Sequence, residues 1–513
     1  MIIFVSGCVF VCFVTIALIK FFYEVWWNPT RIQSAVRSQG IKGPSYRFLY
    51  GNAKDIIRMR DESFNSSMEL SHQVFPRLQP HYYLWSKLHG KNFINWLGPR
   101  PQLIVTEPQL VKEILNNKDE LYPKPEFFTY MTKLFGDGLV TTKGEKWVRQ
   151  RKLANHAFHG EKLKDMIPAM ITSVEMMLRR WRQNEHKEID VWKEFKLLTS
   201  EVISRTAFGS SYLEGQHIFD MLMELVLLLS KNGYEVRIPI IKKFIKTKDD
   251  IKSEKLEQGV RDSILKMIKK REEEASEMDS YGSDYLGVLI KANQDPDKTK
   301  KISIDDLVDE CKTFYIAGQE TTLSLLTWTI FLLAIHTDWQ EKARKEVLEL
   351  FGPRSPTSDE INKLKIMNMI LNETLRLYSP ITTLIREVQK GSKLGKLLAP
   401  ARMDLLIPTL GVHHDPDIWG EDVHLFKPER FAEGVAKATK NNIAAFVPFG
   451  LGPRSCVGMN FAMAETKIAL SMILRRYRFT LSPTYIHSPI VVIGVSPKKG
   501  LQIILQALED QNC

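Results

Sequence analysis

Residues Met1 to Ile19 carry no charged side chain, a run about as long as a helix needs to cross the hydrocarbon core of a membrane. Lys20 closes it, and Phe21, Phe22, Tyr23, Trp26 and Trp27 follow as an interfacial aromatic belt. Arg31, Arg37, Lys42 and Arg47 come next and hold that side in the cytosol. A secretory signal would put a basic segment before a shorter apolar run and small residues at a cleavage site. None of these is present. The pattern predicts an uncleaved anchor over residues 1–22, its N-terminus lumenal, then a belt and hinge over 23–52, where Gly40, Gly43 and Pro44 punctuate the chain. A globular body over 53–513 completes the expected organisation.

Within the body, helical spacing dominates. Ser303 and Asp306 make an approximate capping box ahead of apolar positions at Leu307, Phe314, Ile316, Leu323, Leu326, Ile330 and Leu333. This predicts one helix from about Ile304 to Ile335, roughly 48 Å long. It is apolar nearly all round in its second half and therefore buried. A second helix is expected to start near Thr357, with Glu360 three residues on, and to stop before Pro380. A third follows Gly458. Alternation of the strand type is confined to short stretches such as Leu405 to Leu410 and Ile490 to Val492. The charged run from Lys269 to Asp284 reads as a surface loop. The fold class is mainly α with a small β portion.

A composition of 44% hydrophobic and 26% charged residues over 513 positions excludes disordered and collagen-like classes. Cys8, Cys12, Cys311, Cys456 and Cys513 form neither a disulfide framework nor a C-x-x-C zinc pair, which suits a reducing compartment. The net charge of +11 is compatible with nucleic acid, an anionic membrane or an acidic protein. No nucleic-acid motif accompanies it. Sequons at Asn65 and Asn372 are silent in a cytosolic body.

The segment Phe449 to Gly458, FGLGPRSCVG, sets one cysteine among glycines, with Arg454 two residues before it and a helix directly after. Glycines admit positive φ and close backbone approach, and amides at a helix start favour thiolate. Such a thiolate could be a nucleophile, a redox sensor or a metal ligand. With Phe449, Gly452, Arg454, Cys456 and Gly458 at its fixed positions, the segment resembles the haem-binding signature F-x-x-G-x-R-x-C-x-G of the cytochromes P450. Glu373 to Arg376 match that family's E-x-x-R, Pro428 to Phe431 its P-E-R-F, Ala317 to Thr322 its oxygen-activation segment, and Trp147 to Arg151 its W-x-x-x-R. The resemblance implies a cytochrome P450 fold with an N-terminal transmembrane helix and haem b held by the thiolate of Cys456. It also implies a structural triad of Glu373, Arg376 and Arg430, and haem propionates neutralised beside Trp147, Arg151, Arg386 and Arg454. Phe449 belongs to the same haem-contacting set.

On the long helix, Gly318 would let a flat cofactor approach, and Glu320 with Thr321 places an acid and a hydroxyl where protons can be relayed to dioxygen. By resemblance these are the catalytic pair of a monooxygenase, and the thiolate favours O–O cleavage. The expected function is insertion of one oxygen atom into a lipophilic small molecule at the endoplasmic reticulum membrane. Electrons would come from NADPH through a separate cytochrome P450 reductase, with Lys143, Lys146, Arg149, Arg151 and Lys152 as a candidate docking cluster. A haem-thiolate isomerase or dehydratase, and a non-catalytic haem protein for electron transfer or sensing, are the alternatives. Segments Leu121 to Thr142, Leu222 to Phe244, Thr382 to Leu384 and Pro483 to Pro489 are expected to wall the substrate site, and Arg237 to Ile245 to dip into the membrane. AGQETT, HHDPDIWGED and FKPERF are similar to the plant clan that includes secologanin synthase and brassinosteroid and gibberellin hydroxylases, which points to a terpenoid or steroid-like substrate.

Overall fold

A computed structural model describes residues 2–117, 120–127, 129–183, 187–236, 246–278 and 280–508. The segment Arg237 to Ile245 lies outside them, as does part of the wall expected from Leu222 to Phe244. The helices that matter for the site are α1 (Ile2–Phe22), α2 (Asn28–Arg37), α3 (Gly144–Phe158), α4 (Glu161–Arg182), α5 (Val191–Phe208), α6 (Lys248–Met278), α7 (Ile304–Ile335), α8 (Lys365–Leu377) and α9 (Met459–Arg476). The largest sheet has four strands, β1 (Phe93–Leu97), β2 (Arg100–Ile104), β3 (Thr383–Glu387) and β4 (Asp404–Pro408), in the order β1-β2-β4-β3. Only β2 and β4 run parallel, with Gln102 opposite Asp404. Three small sheets accompany it, and the fold is mainly helical, as the spacing predicts.

The N-terminal apolar helix and its junction pack differently. Val9, Phe10 and Phe13 of α1 are 64%, 68% and 71% exposed, which an apolar helix tolerates in lipid but not in water. Among the described residues it is the one helix long and apolar enough to cross a membrane. The expected hinge, by contrast, is pinned to the body. Val36 and Tyr46 are buried with Ile94 and Trp96 of β1, and the Tyr46 hydroxyl donates to the Val25 carbonyl. Ile94 N donates to Lys42 O at 2.9 Å. Gly43 lies so close to β1 that a Cβ there would stand 1.9 Å from Ile94 O. Trp26 of the aromatic belt tilts against Phe48 at 5.9 Å between ring centroids. Residues 25–52 thus form a brace, because their apolar side chains find a sheet face that the linear sequence does not reveal.

Two further elements depart from the sequence reading. The charged run after Lys269 is helical up to Met278, the end of α6. Lys269 pairs with Glu273 and Lys270 with Glu274 at i, i+4, and Lys270 reaches across to Glu214 at 2.9 Å; such pairs sustain a solvated helix face. The second helix is also broken. Thr357 and Glu360 form the expected capping box, but that helix ends at Ile361 and α8 begins at Lys365. The new start is capped from a distance: the Glu346 carboxylate accepts from Ile366 N at 2.8 Å and Met367 N at 3.0 Å.

α7 threads the core, its Ser303/Asp306 capping box formed at the start. Glycine at position 318 is explained by packing: a Cβ there would stand 2.6 Å from Ile203 Cδ1 of α5. Packing against α5 is thus a reason for glycine at this position that the sequence does not show.

At the C-terminal end of α8, Glu373 and Arg376 are both fully buried and joined at 2.7 Å. Arg376 donates onward to His413 O at 3.1 Å, Val423 O at 2.7 Å and Leu425 O at 3.3 Å. Glu373 Oε1 accepts from Lys427 N at 3.0 Å. Arg430 stands 3.5 Å from Glu373 but 2.6 Å from Asp422, so Asp422 is its main ionic partner and the expected triad is a four-residue cluster. Removing one member of a buried pair costs about 3–5 kcal/mol, because a charge is left without compensation. Glu373→Ala should therefore lower the soluble yield and the thermal midpoint sharply, and the double change Glu373→Met with Arg376→Met should recover part of the loss. An unchanged midpoint in Glu373→Ala would contradict a scaffold role.

Candidate active site

The loop from Phe449 to Gly458 is folded on itself before α9 begins. Cys456 N donates to Phe449 O at 2.8 Å and Ser455 N to Gly452 O at 3.0 Å. Gly452 has φ +73°, and a Cβ there would stand 2.5 Å from Leu115 O, so both conformation and space require glycine. Cys456 is surrounded by protein, yet its surface is open: it faces interior space. Cys311, by comparison, is wholly closed off. Burial raises the Cys456 thiol pKa, while the Gly458 amide and Arg151 pull it down. Burial outweighs them, and the thiol stands above its ordinary value.

Four cations gather nearby. The Arg454 guanidinium lies over the Trp147 ring at 4.2 Å and donates to Thr142 O at 2.8 Å. Arg151 Nη1 donates to Ser455 O, next to the cysteine, at 2.6 Å. Arg386 on β3 is 4% exposed and, among the described residues, donates only to its neighbour's carbonyl, Ile385 O, at 2.8 Å. Burial pushes its pKa down to about 10. Arg454 is likewise at about 10, through burial and then through Arg386 and Arg151. Lys124, which the sequence reading did not single out, is pushed well below its usual value by burial and by Arg386 and Arg454. Among the described residues, Glu120 is the acid whose field supports Arg454. Such a group of like charges, Arg386 buried and the others partly so, is stabilised by an anion among them.

On α7, every residue from Cys311 to Ala334 is buried except Ala317, Gly318 and Thr321. At spacings i, i+1 and i+4 these three lie on one face, which therefore also borders interior space. Thr321 Oγ1 donates to Ala317 O at 2.7 Å, leaving its lone pairs as acceptors. Glu320 is 2% exposed, and its Oε1 has no hydrogen-bond partner among the described residues. Burial lifts its pKa to about 7, with Lys196 opposing.

The structure thus brings Trp147, Arg151, Arg386, Arg454 and Cys456 into one neighbourhood. It places Glu373, Arg376 and Arg430 behind the loop. It also adds a link that motif spacing could not show: buried His413 accepts the Val447 N–H on Nε2 at 3.0 Å, and its own carbonyl is held by Arg376. Burial holds the His413 pKa at about 3, so the ring is the neutral acceptor this bond requires. The signal in the sequence was the histidine pair after β4, which carries no hint of its partner. Of the expected walls, β3 is partly open at Thr383, Leu384 and Ile385. The stretch from Pro483 to Pro489 instead stacks His487 on Phe331, towards the far end of α7, at 5.0 Å. The turn at Gly494 packs on α7, a Cβ there standing 3.4 Å from Glu320 O and from Ser324 Cβ.

The family model described as Cytochrome P450 matches residues 69–503. The chain is 59% identical over 509 residues to cytochrome P450 CYP749A22 of Panax ginseng, covering 98% of this chain and 96% of that one. It is 39% identical over 518 residues to 7-deoxyloganic acid hydroxylase of Catharanthus roseus, covering 98% and 99%. Secologanin synthase 2 of the same plant is 39% identical over 497 residues, covering 95% and 94%. Matches that run through the cysteine loop and the long helix alike, over nearly the whole of each chain, make this protein a member of the cytochrome P450 family of haem-thiolate monooxygenases.

Proposed function

We propose that this chain is a membrane-anchored monooxygenase that oxidises a lipophilic plant metabolite of terpenoid or steroid-like character, with haem ligated by Cys456. One observation carries the reading: an enclosed cysteine opens onto interior space beside four cations with almost no opposing acid. A haem fits that arrangement, its iron meeting the sulfur and its carboxylates the cations. Bound there, it supplies the activation of dioxygen and the transfer of one oxygen atom to the substrate.

The chain's own residues do the rest. Lys124, Arg151, Arg386 and Arg454 neutralise carboxylates that could not otherwise be buried. The Gly458 amide and Arg151 support negative charge on the sulfur. Ala317, Gly318 and Thr321 form the face of α7 on the far wall of the same chamber. Glu320, with a pKa of about 7, can both accept and donate a proton near neutral pH, and Thr321 offers the adjoining hydroxyl. This acid and hydroxyl favour a monooxygenase over an isomerase, which needs no proton delivery. Electrons are proposed to come from NADPH-cytochrome P450 reductase. The docking cluster is smaller than its sequence suggests, because Lys146 is paired with Asp137 and Asp306 and Arg151 turns inward. Lys143 and Lys152 remain exposed. The names of the relatives, a hydroxylase of 7-deoxyloganic acid and a secologanin synthase, support a specialised metabolite as substrate. The proposed location is the endoplasmic reticulum membrane, with the N-terminus lumenal and the body cytosolic.

Cys456→Ser should lose the red-shifted ferrous carbon-monoxide band of a thiolate-bound haem; its retention would sink the assignment of the ligand. A substrate panel, followed by binding spectra and then product mass, identifies the compound.

Thr321→Ala should keep fold and haem, since alanine suits a helix at least as well as threonine. Product formed per NADPH consumed should fall, with the balance appearing as hydrogen peroxide. In wild type that ratio should decline as pH rises through about 7, where Glu320 loses the proton it donates, and Glu320→Gln should flatten the profile. An unchanged ratio in Thr321→Ala would remove it from the mechanism.

Protease added to sealed microsomes should digest the body, and alkaline carbonate should leave the full-length chain in the pellet. Protection or glycosylation of the body would overturn the topology.

A further inference from the structure

Between α4, α8 and α9, on the outer side of the loop that carries Cys456, runs a groove of about 570 Å3, a size typical of small-molecule sites. α9 lines it with Met459, Met463 and Lys467, which recur every four residues and so share one stripe. α8 faces it with Asn368 and Asn372, also four apart. Their side-chain amides make no hydrogen bond to protein among the described residues. The Asn372 sequon is silent for a structural reason as well, since Glu373 and Thr374 are fully buried within α8.

Lys467 is 6% exposed, and its ammonium donates to Ile361 O at 3.1 Å. An ammonium has three donors, so a neutral carbonyl uses one and leaves two. No acidic residue lines the groove. The carboxylate that Lys467 feels, Glu346, already accepts the amides of Ile366 and Met367. Lys164 at the rim is paired with Glu161 at 3.1 Å and is not available. A buried ammonium with unused donors beside an open groove is stabilised by an anion there, because the Glu346 carboxylate near it is shared with two backbone amides. Around this charge the walls are apolar, with Phe449 from the cysteine loop, Met463 and Val435.

We propose that this groove binds a soluble amphipathic organic anion. Its carboxylate or phosphate head lies on Lys467, Asn368 and Asn372, and its hydrocarbon part on Met463 and Phe449. Contact with Phe449, whose carbonyl holds Cys456 N, gives such a ligand a direct mechanical route to the cysteine loop.

The test uses full-length haem-loaded protein in zwitterionic nanodiscs, its substrate chamber filled by a haem-coordinating azole so that only the groove is free. Azole binding is read first from its own spectrum, which separates failure of the haem reading from failure of this one. Octanoate is then titrated by calorimetry, with octanol as the neutral control and empty nanodiscs as the partition blank. Octanoate should bind saturably, and Lys467→Met, which keeps length and loses charge, should weaken it at least tenfold while octanol is unaffected. Met463→Trp, which fills the groove, should abolish binding, and both variants are checked for full azole titration. The absence of saturable octanoate heat, or equal affinity in Lys467→Met, would overturn the proposal. So would a Lys467→Met variant that keeps octanoate but loses reductase affinity, which would assign the groove to protein docking.

Discussion

The ion pair of Glu373 and Arg376 is the contact on which the rest of the site depends. Both side chains are fully buried, where two charges persist only if each remaining donor and acceptor is met. Meeting them ties four backbone segments together. Arg376 holds the carbonyls of His413, Val423 and Leu425, and Glu373 holds the Lys427 amide. His413 passes the restraint on to Val447, two residues before Phe449, whose carbonyl accepts from Cys456 N as the chain folds back. The position of the sulfur is therefore set by a pair of charges far earlier in the chain, through hydrogen bonds from buried side chains to backbone groups.

The active-site side of the molecule shows the opposite electrostatic condition. Behind the loop, charges are balanced within the protein. In front of it, Lys124, Arg151, Arg386 and Arg454 are left with a surplus of positive charge, Arg386 buried and the other three partly so. Four cations with lowered pKa values describe a protein incomplete without an anion, and a dianionic cofactor completes it. The apoprotein should thus be less stable than the loaded one for an electrostatic reason as much as for lost apolar contact.

α7 joins the two halves of the chemistry. Its second half is buried apolar surface, held at one point by Trp328 Nε1 and Ser324 Oγ donating to Val495 O. Its middle carries the three open positions and the Glu320 carboxyl, whose Oε1 has no hydrogen-bond partner among the described residues. The anchoring at Ser324 and Trp328 holds the turn that follows this acid in place.

Local chemistry was legible in the sequence. The apolar run of the anchor, the limits of α7 with its capping box, the motif around Cys456 and the pairing of Glu373 with Arg376 all depend on residues within a few positions of one another. The break before α8 was not legible, because Glu346 caps it from 20 residues away. Nor was the bracing of residues 25–52 against β1, since an apolar face in sequence does not name the surface that covers it. Lys124 and His413 lay in plain view as residue types, yet their roles come from what surrounds them. Gly318 shows the limit most directly: the sequence marks the glycine, and only the approach of Ile203 from α5 decides why it must be one. Covalent order determines periodicity, caps and motif spacing, whereas desolvation, charge balance and close approach are properties of the folded interior and were decided there.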